Sequence, residues 1–248
     1  MACHGESRLG GIGPALLPES LERLRKADAV KVVREGRVAT QMPPFADKLG
    51  VDEAEKLVEW IYTPVQPTPV WGEAEIRASH AFDPVAAKLP ARPGPGLEGA
   101  DPLNLFVVVE AGDHHVSLLD GDKLEPLHRF PSRYALHGGP KFSPDGRFVY
   151  FASRDGWITK YDLYNLVVVA EIRAGLNTRN AAVSGDGKWV MVGNYLPHSL
   201  VVLDATDLSL VKIIPTLTKD GSSRVSAVYD AAPRKSFVAA LKDVPEVW

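Results

Sequence analysis

The spacing of apolar positions changes character along the chain. In "SLERLRKADAVKVVREG" the apolar residues Leu21, Leu24, Ala27, Val30 and Val33 recur every three or four positions, which predicts an amphipathic helix. Ser20 is placed to cap this helix and Gly36 to close it. A second helical stretch, "VDEAEKLVEWIYTP", gathers Leu57, Val58, Ile61 and Tyr62 on one face and ends at Pro64. Between residues 64 and 103 prolines replace the periodicity, and the segment reads as extended connecting chain, with Trp71 and "EAEIRAS" as a strap against a neighbouring domain. From residue 104 onward short apolar runs alternate with turns. "LFVVVEAGDHHVSLLD", "FVYFASRDGWITKYDL" and "WVMVGNYLPHSLVVLD" each read as strand, turn, strand and a closing aspartate.

Those aspartates, Asp120, Asp162 and Asp204, recur every 42 residues, and "DAAPRKSFVAALK" is a degenerate further copy. A strand-rich repeat of this length indicates a β-propeller, with four strands to a blade. The aspartates read as turn-formers at strand ends, as do Asp145 and Asp186 in "FSPDGRF" and "VSGDGKW". Residues 104–248 give room for three to four blades, fewer than most closed propellers use.

Composition narrows the function classes. The 248 residues are 45% hydrophobic and 24% charged, as in soluble globular proteins. A formal charge of −3 without a basic run argues against nucleic acid as a partner. No apolar stretch approaches the roughly 18 residues that a membrane span needs. The single cysteine excludes an internal disulfide.

That cysteine carries the candidate chemistry of the first part. C-type haem is attached at C-x-x-C-H, and here Cys3 and His4 supply the last two letters while Met1 and Ala2 fill the spacer. A glycine-rich loop follows, then the helices, and "ATQMPPF" presents Met42 before two prolines. Histidine and methionine are a common axial pair for haem iron, so residues 1–63 read as a small all-α cytochrome c domain with ligands His4 and Met42. The first cysteine would stand one residue before Met1. We therefore expect a chain that begins at an internal methionine of a longer protein, the rival being a single-thioether cytochrome. The ending "KDVPEVW", inside an expected strand or its connection, points the same way. The expected organisation is a cytochrome c domain (1–63), a proline-rich linker (64–103) and a partial β-propeller (104–248).

With these residues in view, the chain resembles the cytochrome cd1 nitrite reductase family over nearly its whole length, and within it the branch of dihydro-haem d1 dehydrogenases. The resemblance rests on "ACHGESRLGGIGPALLPESL", "ATQMPPF", "HGGPKFSPDGRFVYFASRDGWITKYDL", "AEIRAGLNTRN" and "GNYLPHSLVVLD". It implies an eight-bladed parent propeller and two tetrapyrroles. Haem c would be anchored through Cys3, without its partner cysteine, and ligated by His4 and Met42. Haem d1 or dihydro-haem d1 would sit in the propeller, with His137 of "ALHGGPKFSPDG" as the matching iron ligand and catalytic residue. Gly138 and Gly139 beside it would let a flat ligand approach the backbone, although a packed turn histidine has the same surroundings. Haem d1 carries several carboxylates, for which Arg154 in "SRDG" and Arg179 in "NTRN" are candidate partners on strand connections; ordinary surface arginines are the alternative. His80, His114, His115, His128 and His198 are weaker candidates. The implied activity is oxidation of dihydro-haem d1, a propionate becoming an acrylate, with electrons passing to the c haem in a denitrification-linked synthesis of haem d1. Nitrite reduction and non-catalytic haem d1 carriage are the alternatives. The implied partners are the tetrapyrrole, other haem d1 assembly proteins and redox partners, in the periplasm, although no export signal precedes "ACHGESR".

Overall fold

The computed structural model describes residues 3–248; Met1 and Ala2, the spacer of the expected haem motif, lie outside the described residues. The chain divides into two compact units, one running to Val70 and including Ala111–Asp113, the other comprising Trp71–Glu110 and His114–Trp248.

The first unit is helical. The expected helix around residues 20–36 is split into α1 (Pro18–Leu21) and α2 (Lys26–Glu35), and Ser20 lies inside α1 rather than capping it. Pro18 opens α1, where its missing N–H costs nothing. The chain restarts at Arg25, which is extended and donates from Nε and Nη2 to Asp28 in the first turn of α2 (2.7 and 3.2 Å). Gly36 closes α2 at φ 73°, its N–H reaching the Val32 carbonyl. A side chain there would meet the Met42 carbonyl oxygen at 2.7 Å, so the glycine lets the Met42 loop fold back against the helix. α3 (Val51–Ile61) is capped by Glu53, whose carboxylate accepts from the Gly50 N–H at 2.9 Å. Ala29 and Val33 pack on Ala54 and Val58, with Leu24, Val30, Leu49, Leu57 and Tyr62 around them.

The second unit is a series of antiparallel sheets in propeller fashion. The first is β2 (Leu105–Glu110), β3 (His115–Asp120) and β4 (Pro126–Pro131). The second holds β5 (Lys141–Phe142), β6 (Phe148–Ala152), β7 (Trp157–Asp162) and β8 (Val167–Arg173). The short strand β1 (Ala81–Phe82) is added at its β8 edge. The third is β9 (Asn177–Val183), β10 (Trp189–Leu196), β11 (Ser199–Asp204) and β12 (Leu210–Pro215). After a hairpin of β13 (Leu217–Thr218) and β14 (Gly221–Ser222), the pair β15 (Val225–Ala231) and β16 (Ser236–Leu241) begins a fourth.

The central strand β6 is apolar throughout because both its faces are covered. On β6, Val149 and Phe151 join the core shared with the first sheet, around Val116, Leu118 and Phe130. Tyr150 and Ala152, on the opposite face, join the core shared with the third sheet, around Val190, Val192 and Leu203. A further core of Ala182, Leu200, Val225, Val228 and Leu241 seats β15 and β16 on the third sheet.

The repeating aspartates act as turn-formers. Asp120 Oδ1 accepts from the N–H groups of Asp122 and Lys123, Asp162 Oδ1 from Tyr164 and Asn165, and Asp204 Oδ1 from Thr206. Asp162 is also fully buried and receives the Arg147 guanidinium at 2.6 Å. Much of the segment expected as extended linker is ordered: α4 (Glu73–Ala78) lays Ile76, 1% exposed, into the core of the second and third sheets. Trp71 Nε1 donates to the Arg173 carbonyl at 3.0 Å, and His80 Nε2 lies 2.7 Å from the Asp207 carbonyl. The proline content of this stretch conceals the few apolar side chains that anchor it. Among the described residues no helix is long and apolar enough to cross a membrane.

Candidate functional site

Each unit holds one constellation of candidate residues. In the first, Cys3 is an exposed free thiol followed by the half-buried His4. The glycine loop wraps this pair: Gly13 N–H donates to the Cys3 carbonyl at 2.6 Å and Gly10 N–H to the His4 carbonyl at 3.0 Å. A side chain at Gly13 would strike the His4 ring, with Cε1 at 2.6 Å. His4 Nδ1 lies 2.7 Å from the Pro14 carbonyl. A carbonyl only accepts, so Nδ1 carries the proton and Nε2 presents the lone pair a metal requires. Met42 sits on its own loop, held by the hydrogen bond from Arg37 N–H to its carbonyl at 3.0 Å. An imidazole lone pair next to a thiol, with a thioether on a separate loop, supplies the donor types a c-type haem takes. The sequence reading missed the buried Arg8, which donates to the carbonyls of Trp60 and Thr63 at 2.8 and 2.7 Å and lies over the Trp60 ring. It ties the glycine loop to the C-terminal end of α3, where carbonyls lack intrahelical partners.

In the second unit His137, Arg154 and Arg179 come together. His137 N–H donates to the Ala152 carbonyl at 2.7 Å, fixing the residue beside the end of β6. Gly138 follows at φ 85°; a Cβ there would lie 2.6 Å from that of Asn180. This close approach brings the imidazole to β9. Its Nδ1 is 2.9 Å from the Arg179 carbonyl and its Nε2 is 3.1 Å from Arg179 Nη1. Burial pushes the His137 pKa down; the hydrogen bond to the Arg179 carbonyl opposes this, and the charges of Arg179 and Arg154 reinforce it. The exposed Arg154 is held through its backbone, N–H to the Ala135 carbonyl and carbonyl to the Thr178 N–H, both 2.9 Å.

Five further residues, missed in the sequence, complete this cluster. The Tyr195 ring has Arg179 at 5.8 Å, Arg224 at 5.5 Å and Lys242 at 5.2 Å from its centroid. Asp243 grips Arg224, with Nη2 to Oδ1 at 2.6 Å and Nε to Oδ2 at 3.0 Å, and the Arg224 guanidinium holds that carboxyl down at about 2. Lys141 Nζ donates to the carbonyls of Gly138 and Gly139. The signal for the missed residues is positional. His137, Arg179 and Arg224 lead into or begin the first strand of successive sheets, whereas Arg154, Tyr195 and Lys242 end or follow the second strand. In antiparallel strands these two places share one end of the sheet. Cations outnumber acids here, so the site suits an anionic ligand with several carboxylates. Elsewhere, His198 Nδ1 meets Ser222 Oγ at 2.8 Å, His114 packs edge-on to Tyr134, and His128 stacks on Phe130.

Two family models match the chain, one over each of its parts. Residues 1–61 match the family model described as Cytochrome C oxidase, cbb3-type, subunit III, and residues 100–248 match Cytochrome D1 heme domain. The dihydro-heme d1 dehydrogenase of Pseudomonas aeruginosa is 64% identical over all 248 residues, which correspond to 50% of that protein. Protein NirF of the same organism is 37% identical over 158 residues, 62% of this chain and 40% of NirF. A solved structure of dihydro-heme d1 dehydrogenase NirN in complex with DHE superimposes with a TM-score of 0.90 at 64% identity, covering the whole of this chain and 53% of the other. The chain thus spans about half the length of these relatives. A cytochrome-type family match over residues 1–61, a propeller-type array after it in the chain and a family model spanning that whole array lead to one assignment: the chain belongs to the cytochrome D1 haem domain family.

Proposed function

We propose that the protein to which this chain belongs is a periplasmic oxidoreductase of haem d1 biosynthesis, oxidising dihydro-haem d1. The observation that carries this reading is the cationic cluster that includes His137: an imidazole beside Arg154 and Arg179, with Arg224 and Lys242 gathered with Arg179 around Tyr195, the residue types that bind an iron tetrapyrrole rich in carboxylates. His137 is the iron ligand in this reading, and burial and the neighbouring charges keep its imidazole neutral for that role. Arg154 and Arg179 pair with carboxylates and fix the ring, and Arg224 and Lys242 extend the same surface. The reaction removes two hydrogens from a propionate side chain, –CH2–CH2– becoming –CH=CH–, with release of two protons and two electrons. Cys3, His4 and Met42 would hold a haem c, which when bound supplies one-electron acceptance. C-type haem attachment in bacteria takes place outside the cytoplasm, which supports the periplasmic compartment.

The second reading is binding of haem d1 without turnover, for which the same cationic cluster would serve. Loading the full-length protein with dihydro-haem d1 and following its absorption separates the two. Conversion to haem d1 is expected; an unchanged spectrum of a bound complex would make the protein a carrier, and nitric oxide formed from nitrite would make it a reductase.

A further inference from the structure

One residue closes both nitrogens of the His137 ring. Nδ1 faces the Arg179 carbonyl at 2.9 Å and must donate to it, so the lone pair lies at Nε2, where Arg179 Nη1 donates at 3.1 Å. The backbone of Arg179 therefore selects the tautomer that binds iron through Nε2, while its side chain occupies that same lone pair. The ring has little freedom to turn away. Gly138 is pressed against Asn180 and the Arg179 carbonyl, and Lys141 holds the carbonyls of Gly138 and Gly139. The Asn180 side chain in turn exchanges two 3.0 Å hydrogen bonds with the backbone of Val228 on β15. What can move is the Arg179 guanidinium; Lys242, which shares the Tyr195 ring with it, opposes by its charge a swing in that direction, while the charge of Arg224 on the same ring is already met by Asp243. A ligand carboxylate placed between Arg179 and Lys242 removes that opposition. It also offers Arg179 a charge-assisted bond stronger than its bond to a neutral imidazole.

We propose that Arg179 is a specificity-determining residue: its guanidinium occupies the Nε2 lone pair of His137 until a carboxylate of the incoming tetrapyrrole draws it off, so that iron ligation depends on a carboxylate-bearing ring. This rests on the reading of the site as a tetrapyrrole site. Arg179 has two opposed effects, blocking the ligand nitrogen and rewarding the correct substrate.

The test uses full-length protein and two ferric probes of one ring skeleton, ferric coproporphyrin and its tetra-amide, titrated by absorption. Wild-type protein is expected to favour the carboxylated probe. Arg179→Gln is expected to weaken that probe while strengthening the amide about 3- to 10-fold, the worth of one ordinary hydrogen bond released. Arg179→Lys, which keeps the charge, is expected to move both affinities in the same directions by less, and it serves if the glutamine variant does not fold. Parallel weakening of both probes would reduce Arg179 to a simple carboxylate contact and overturn the proposal. A second readout needs no ligand: the imidazole 15N spectrum of His137 should show Nε2 moving toward the position of an unbonded ring nitrogen in Arg179→Gln. If neither probe binds, the tetrapyrrole reading fails, and the 15N comparison still decides whether the cap exists; an unmoved Nε2 signal refutes it.

Discussion

Asp162 offers a controlled measurement of what burial does to one repeat position. It stands where Asp120 and Asp204 stand in the neighbouring repeats and performs the same turn capping, but it alone of the three also receives the Arg147 guanidinium, through Nε at 3.0 Å and Nη2 at 2.6 Å. Arg147 is 10% exposed and Asp162 fully buried. Asp162→Asn keeps an oxygen for the two turn N–H groups but replaces Oδ2, which accepts from Arg147 and from Asn165 Nδ2, with a donating amide, leaving Arg147 without its counter-ion. Breaking a buried pair from one side costs about 3–5 kcal/mol. The matched change Asp204→Asn removes a charge whose carboxylate accepts the Thr206 N–H at a partly exposed turn, and should cost less than about 0.5 kcal/mol. Urea unfolding of the full-length variants, compared at constant m-value, reads the difference. Replacing both partners, Arg147→Met with Asp162→Leu, should recover part of the loss, because no buried charge is then orphaned. Equal costs for Asp162→Asn and Asp204→Asn would refute the reasoning.

Three other outcomes are expected. Ile76→Ala should cost about 2–4 kcal/mol in urea unfolding, whereas Val70→Ala, at 71% exposure, should change little; equal effects would mean that α4 is not part of the sheet core. Gly13→Ala places a methyl group within 2.6 Å of His4 Cε1 and should lower c-type haem content, read by pyridine haemochrome absorption, without altering the fold of the second unit. Lys160 is buried, donates to the carbonyls of Ala205 and Thr206, and is pushed down to about 8 by burial, then by the Arg147 charge. Between pH 8 and 10.5 the unfolded chain holds a proton on this lysine that the folded chain has released, so its contribution to stability rises with pH. The difference in urea midpoint between wild type and Lys160→Met should widen in favour of wild type from pH 7 to 9.5, and a constant difference would contradict this.

The repeat was legible because its turns need an acceptor at a fixed place, and Asp120, Asp162 and Asp204 keep the period even where the strands between them vary. The helices of the first unit were legible from their apolar spacing, but the break before α2 was not, since Leu24 fits a helical face and also packs in the turn against Val33 and Val58. The strap around Ile76 was harder to read: prolines set the local chain, and one buried isoleucine sets its destination. At the candidate site, His137, Arg154 and Arg179 stood out by residue type in irregular segments. Tyr195, Arg224 and Lys242 did not, because their convergence depends on which strand ends share one end of the sheets. Arg8 was invisible for a related reason. Its partners are two carbonyls more than fifty positions away.

The placement of the candidate site at strand ends separates two kinds of inheritance. Val149, Ile158, Val190 and Leu203, which hold sheet to sheet, lie within strands and are sealed from solvent. His137, Arg179, Tyr195 and Arg224 lie at or beyond strand ends and are only half-buried. Ligand preference can therefore drift one blade at a time while the scaffold is kept, and a change that destabilises the scaffold need not alter which ligand is chosen.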